Sequence, residues 1–438
     1  MVGGFRLKAN QLAYWCWCLM LFFIPFSTAL GLLMSALAIV SGCLGFSPRS
    51  FRRTFKQPVI VLCVLLFVWL TLSMLWSMAP KAEMLEAWSK YRKLLYPALV
   101  MMVLYNLRKG PGGLLYGFLA GCGVIAVMSL LSAYGILELI LGPPRESGGW
   151  YVGPGWLFIG GPENPTFGRN HITQSAFLSF AVMLSLGNAW HSGYIKLRFK
   201  CCLIWLCSAI IYLQPIFLLQ GRTGYLLALI IPVYFSSICL LYMRGKKKIL
   251  IPIFAGVITA VTLYSSPHFL TRTKVMGDSV ANYVVNGELK DSGVRLEFWR
   301  AGLEIFSKYP FIGTGVGGYA EAYSRLDGRS RWLAESRVQP HSEYVLMAIQ
   351  GGAVGAFVFS LLCVAVTRLA IKQVSQRPAI LGLVIIFFLD AVFNSVIWDL
   401  AEGHFFVMFI ALSIYPTCNA FSHFSKTSKT TDTDSHNA

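Results

Sequence analysis

The chain has 438 residues, 56% of them hydrophobic and only 13% charged, with a mean hydropathy of +0.62 and a formal net charge of +18. Soluble domains carry about a quarter charged residues, so this composition excludes an ordinary soluble protein and indicates an integral membrane protein. The positive balance does not indicate nucleic acid, because the basic residues sit in short clusters between apolar runs rather than on one domain.

A membrane-crossing helix needs about 20 predominantly apolar residues. Runs of that kind predict twelve transmembrane helices, at 11–26, 28–46, 58–78, 91–106, 113–141, 171–190, 200–220, 223–243, 249–266, 342–368, 378–398 and 402–420. The first run has no small-residue cleavage site after it and reads as a retained anchor. It meets the second at Pro25-Phe26-Ser27. The expected fold is an all-α membrane protein in four parts: helices 1–9 over 1–266, a large extramembrane loop over 267–341, helices 10–12 over 342–420, and a disordered tail over 421–438.

Loop charge orients these spans. The segments 46–57, 106–112, 190–200, 244–248 and 368–377 contain Lys and Arg but no Asp or Glu, as cytoplasmic loops do. Both termini are then expected in the cytoplasm. On the outer side, residues 79–93 read as an amphipathic helix lying on the interface, and 143–170 as a Gly/Pro/Trp-rich loop. The 267–341 segment has helix-like stretches near 291–308 and 317–326, and its aromatic content argues against disorder. None of the 11 cysteines falls in a predicted outer loop, so no disulfide framework is expected.

The candidate chemistry gathers on that outer side. Arg222 lies in a minimal turn between two spans, in Gln220-Gly221-Arg222-Thr223-Gly224. A guanidinium there suits bidentate capture of phosphate, and Gly221 and Gly224 are expected to let a ligand approach the backbone. The plain alternative is an arginine snorkelling at a helix end. His341, expected in the first turn of the helix that follows Pro340, is an imidazole able to take a proton near neutral pH; the alternative is an interfacial histidine with one hydrogen bond. Arg295 and Trp299 are i,i+4 neighbours and are expected to present a cation and an aromatic plate on one face, with Arg300 beside them; the alternative is a solvated helix face. Arg169, in Arg169-Asn170-His171, and Tyr344, just after His341, are further possible substrate contacts. Asp390, Asn394, Asp399 and Glu402 are polar groups in or beside an apolar hairpin, where such groups are usually functional or paired inward. The Glu402-Gly403-His404 segment is expected to form an outward-facing turn. There is no Gly-rich phosphate loop and no metal-ligand set in an outer loop, so neither a cofactor nor a metal is expected.

Taken together, Gly221-Arg222-Thr223-Gly224, Arg295 through Trp299, Pro310-Phe311-Ile312-Gly313-Thr314-Gly315-Val316-Gly317, His341-Ser342-Glu343-Tyr344, Gly351-Gly352-Ala353-Val354-Gly355 and Asn394 through His404 resemble the O-antigen ligase/polymerase superfamily. The resemblance implies a GT-C-like glycosyltransferase in the Gram-negative inner membrane. Such ligases move O-antigen polysaccharide from undecaprenyl pyrophosphate to lipid A–core on the periplasmic face, with inversion and without metal. Carried over, His341 matches the essential histidine, and Arg222 and Arg295 the pyrophosphate-binding arginines. Relatives often have Asn where this chain has Ser342, which leaves open what partners the imidazole. An O-antigen polymerase and a protein O-oligosaccharyltransferase share these motifs; the Trp398-to-His404 hairpin and modest loop point to the ligase. A lipid-linked glycan transporter is the rival of another class, and it predicts mid-membrane polar residues and paired halves that the sequence does not display.

Overall fold

A computed structural model describes residues 2–145, 148–152, 157–194, 199–266, 269–289, 292–326 and 339–414. The expected tail over 421–438 lies outside the described residues.

Apolar runs become helices because a backbone removed from water must bond to itself. In chain order these are α1 (Val2–Phe23), α2 (Thr28–Leu44), α3 (Pro48–Thr54), α4 (Pro58–Leu72), α5 (Lys81–Tyr91), α6 (Tyr96–Leu107), α7 (Gly112–Ala133) and α8 (Ile136–Leu141). They continue with α9 (His171–Tyr194), α10 (Phe199–Leu218), α11 (Arg222–Tyr242), α12 (Lys247–Tyr264), α13 (Phe269–Asn286), α14 (Ser292–Lys308) and α15 (Tyr319–Ser324). The last are α16 (Glu343–Gln373), α17 (Pro378–Phe393) and α18 (Leu400–Ile414). The first two runs are separate helices: Ser27 caps α2, its side chain accepting the Leu30 N–H at 3.4 Å.

Among the described residues, six helices are long and apolar enough to cross a membrane, or seven if the bent pair α2 and α3 is counted as one. Lys248–Val261, Pro378–Phe393 and Leu400–Ile414 are shorter apolar helices. Large apolar side chains such as Ile210, Val233 and Phe254 stand exposed on these elements, where hydrocarbon rather than water is the fitting solvent. The chain is therefore an essentially all-α membrane protein.

Three local expectations are corrected. The 143–170 loop contains an antiparallel hairpin, β1 (Gly149–Val152) paired with β2 (Leu157–Gly160), built from β-favouring Trp150, Tyr151, Phe158 and Ile159. Lys93 does not belong to a surface helix: after α5 a 3₁₀ turn (Arg92–Leu95) carries it inward until it is 1% exposed. Glu402-Gly403-His404 is not a turn, because α18 begins at Leu400 and continues through it, burying His404 against the Tyr96 ring.

The Pro310–Gly317 motif has a structural purpose. α16 is broken at Gly352, whose φ of +62° is open to glycine but strained for other residues. The freed carbonyls of Ile349 and Gln350 accept the N–H groups of Thr314 (2.8 Å) and Gly315 (3.1 Å), and the Ala353 N–H donates to Pro310 O at 2.7 Å. The loop thus completes the broken helix. Above it, Phe298, Ala301, Ile305, Tyr319 and Tyr323 form a small core of their own that rests on Ile349. Gly352 makes room for this intruding strand of chain, while Gly351 lies against Trp69 of α4, whose Nε1 donates to Gly351 O at 2.9 Å.

Candidate functional site

Helix starts dominate the site. α9 opens at His171, where the Asn170 side chain accepts the Thr173 N–H at 2.9 Å. α11 opens at Arg222 behind Gly221, a cap with no side-chain hydrogen bond. α14 opens at Ser292, and α16 begins just after His341. His171, Arg222, Thr223, Ser292, Arg295 and His341 all line one cavity of about 500 Å³, so four helix N-termini converge on it. Each carries roughly half a positive charge and N–H groups with no intrahelical partner. That is an anion site before any side chain is counted.

Three guanidinium groups add full charges. Arg222 and Arg295 line the cavity as neighbours, and Arg272, from the amphipathic α13, joins them. Arg222 Nη1 donates to Ser292 Oγ at 2.7 Å, tying α11 to α14. Arg272 Nη2 donates to Gln220 Oε1, and Gln220 Nε2 donates to Glu163 O at 3.3 Å. The charges of all three arginines reach the His171 imidazole. No Asp or Glu is among the described residues lining this cavity.

His341 lies two residues ahead of α16 instead of in its first turn, with a left-handed φ of +52°. Such a backbone is uncommon for a side-chain-bearing residue and is held by its surroundings. Gln339 does part of that holding: its Oε1 accepts the His341 main-chain N–H at 3.2 Å, and its Nε2 lies 3.3 Å from His341 Nδ1. The Phe298 ring sits 6.2 Å from the imidazole, centre to centre. Ser342 does not attend the imidazole; it is buried, and its Oγ reaches Ala391 O at 3.4 Å. Gln339 is the neighbour that the Ser342 position left open.

Other sequence candidates lie elsewhere. Trp299 turns away from the cavity to pack on Phe393 at 6.0 Å, and Phe298, one residue earlier, supplies the aromatic wall beside Arg295. Arg300 is exposed and bonds Tyr283. Tyr344 points toward α17, its hydroxyl donating to Phe388 O at 3.1 Å. Arg169 lines a neighbouring cavity that shares His171 with the first. Gly221 and Gly224 admit not a ligand but α9: a Cβ on Gly221 would meet Ser175 Oγ at 2.9 Å and His171 O at 3.0 Å. This close approach is what brings His171 beside Arg222.

Arg222, Arg295 and His341, the three residues singled out from the sequence, line one cavity, and they are joined there by Arg272 and His171, which carry no distinguishing motif. Arg272 sits on an amphipathic helix outside the apolar runs, where an arginine is ordinary; only its position in space distinguishes it. Among the described residues no group of three or more His, Cys, Asp and Glu side chains could hold a metal ion.

No curated protein matches the chain. The family described as O-antigen ligase (Wzy_C) matches residues 207–360, a stretch that runs from within α10 to within α16 and supplies Arg222, Arg272, Arg295 and His341. The motifs and the match agree, and the similarity of residues 207–360 to the O-antigen ligase family supports this chain's membership in it.

Proposed function

We propose that the protein is an O-antigen ligase, an inverting glycosyltransferase that transfers O-antigen polysaccharide from undecaprenyl pyrophosphate to lipid A–core. In this reading it is a twelve-span, GT-C-like enzyme of the Gram-negative inner membrane with its site on the periplasmic face, both termini in the cytoplasm, and the 267–341 segment roofing the site. The observation that carries it is the cavity lined by Arg222, Arg272, Arg295 and His341, with three guanidinium groups and, among the described residues, no lining carboxylate.

The chemistry follows from that lining. A lipid-linked diphosphate has its tail in the bilayer and its phosphates at the surface, where the helix N-termini and arginines meet it. The acceptor hydroxyl oxygen attacks the anomeric carbon of the donor sugar while the bond from that carbon to the phosphate oxygen breaks. The electron pair departs with the pyrophosphate, whose added charge Arg222, Arg272 and Arg295 stabilise. His341 takes the hydroxyl proton and later releases it to water. Acceptance at Nε2 requires the proton to rest on Nδ1; because the Gln339 amide nitrogen lies beside Nδ1 and its oxygen holds the His341 main-chain N–H, that step requires the amide to turn and release this N–H. Fixed guanidinium groups here supply the positive charge that a metal supplies in other transferases, and geometry holds them before the substrate arrives.

An O-antigen polymerase would use the same donor site with a growing glycan as acceptor. The test is reconstitution of the purified chain in lipid nanodiscs with a defined undecaprenyl-pyrophosphate-linked glycan, offering lipid A–core and free glycan acceptor in parallel. Glycosylated lipid A–core is the expected product; elongated glycan with unmodified lipid A–core would reject the ligase reading.

A further inference from the structure

A second cavity of about 580 Å³ adjoins the first, with His171 in the wall of both. Its lining is of another kind. Asp399, Glu402, Asn164, Asn170 and Arg169 contribute polar groups, and Phe158 of β2 contributes an aromatic ring. The starts of α9 and α18 both open on it. Among the described residues, one arginine and two acidic side chains face this space, where three arginines and no acidic side chain face the other.

The groups are held in place. Glu402 is 2% exposed, and its carboxylate accepts a hydrogen bond from the Thr173 side chain. Arg169 Nη2 donates to Ile24 O at 2.9 Å, while its buried Nε has no hydrogen-bond partner among the described residues. Burial draws the Arg169 guanidinium down to about 10, with Glu402 acting in the opposite sense.

Carboxylates repel a second diphosphate and phosphorylated groups. Hydroxyl groups, in contrast, are both donors and acceptors, and carboxylates, side-chain amides and an arginine answer both roles. An aromatic ring supplies a flat apolar surface for the C–H face of a pyranose. We propose that this second cavity binds the neutral acceptor sugar and presents its hydroxyl past His171 to the donor held by the arginines. This inference rests on the glycosyltransferase reading above and adds where the acceptor lies and what chemistry selects it.

The experiment uses the full chain in nanodiscs with lipid A–core extracted from the same bacterium and its undecaprenyl-linked glycan. Asp399→Asn and Glu402→Gln preserve volume while removing charge. Asn170→Ser is a companion on the exposed rim that keeps a helix-capping side chain. Asp399→Asn and Glu402→Gln are expected to raise the KM for lipid A–core about tenfold, as loss of a charge-assisted hydrogen bond implies, and Asn170→Ser about fivefold, as loss of a neutral one implies, each with donor KM within about twofold. A raised donor KM with unchanged acceptor KM would assign the cavity to the donor glycan, and unchanged values for both would leave it no sugar; either overturns the proposal. Should the two buried variants fail to fold, Asn170→Ser alone decides. If the wild type elongates glycan without touching lipid A–core, the ligase reading fails, and the same variants scored on the glycan acceptor still judge the cavity.

Discussion

His341 and Glu343 are two residues apart, yet they belong to two clusters of charge that work differently. His341 faces the open cavity with Arg222, Arg272 and Arg295, all partly exposed. Glu343 is 0% exposed; its Oε2 accepts the N–H groups of Ile397 (2.7 Å) and Trp398 (3.3 Å). Near it lies Lys93, whose Nζ donates to Asp399 O at 2.5 Å. The charges of Glu343, Asp399 and Glu402 all reach Lys93. The inner cluster has both signs, little exposure and partners drawn from the protein itself. The outer one has excess of one sign and space beside it. Charge density alone does not mark a candidate site; charge that borders a cavity does.

Substitutions can break that contrast. The largest expected effect is on catalysis: Arg222→Ala or His341→Ala should lower transfer by about 10⁴-fold, or about 5.5 kcal/mol, with unchanged thermal unfolding. Wild-type rates in both variants would remove the outer cluster as the site. Lys93→Ala should act in the opposite way, costing about 3–5 kcal/mol of stability because it leaves buried carboxylates without their cation. Detergent-solubilised protein would show this as a large loss in the unfolding midpoint, and a variant that unfolds like wild type but loses only donor affinity would move Lys93 into the site.

Smaller effects sharpen the boundary. Arg272→Gln keeps a hydrogen-bonding side chain without charge, so donor KM should rise between tenfold and hundredfold, about 1.4–2.7 kcal/mol. Steady-state kinetics with varied donor measure it, and an unchanged KM would mean that Arg272 only braces Gln220. The smallest effect is expected at Gln339. Gln339→Leu should lower kcat about tenfold with little change in KM, because it leaves the His341 tautomer unguided. Gln339→Glu should retain activity and shift the acidic limb of the pH profile upward, since a carboxylate favours the imidazolium and the base must lose its proton to act; a pH profile unchanged in both variants would release His341 from Gln339.

Much of the architecture was legible in the chain because membrane burial is a one-dimensional constraint. Each predicted apolar run overlaps a described helix, since lipid leaves the backbone no other way to satisfy its own hydrogen bonds, although among the described residues six of these helices, or seven with the bent pair, are long and apolar enough to cross a membrane. The break at Pro25–Ser27 was visible for the same reason. The pairing of Arg222, Arg295 and His341 was legible as a motif order, and their shared cavity is a fact of the coordinates. The tertiary structure alone decided the rest. Trp299 and Phe298 differ by one residue, and only the packing of α14 against Phe393 and the site shows which ring faces the cavity. Lys93 reads as a surface charge until the chain folds it against Glu343, Asp399 and Glu402. Arg272 becomes part of the site only because α13 returns over the start of α11. Local sequence specifies how a segment meets its solvent, water or lipid; which charges meet one another depends on segments far apart in the chain, and packing sets those distances.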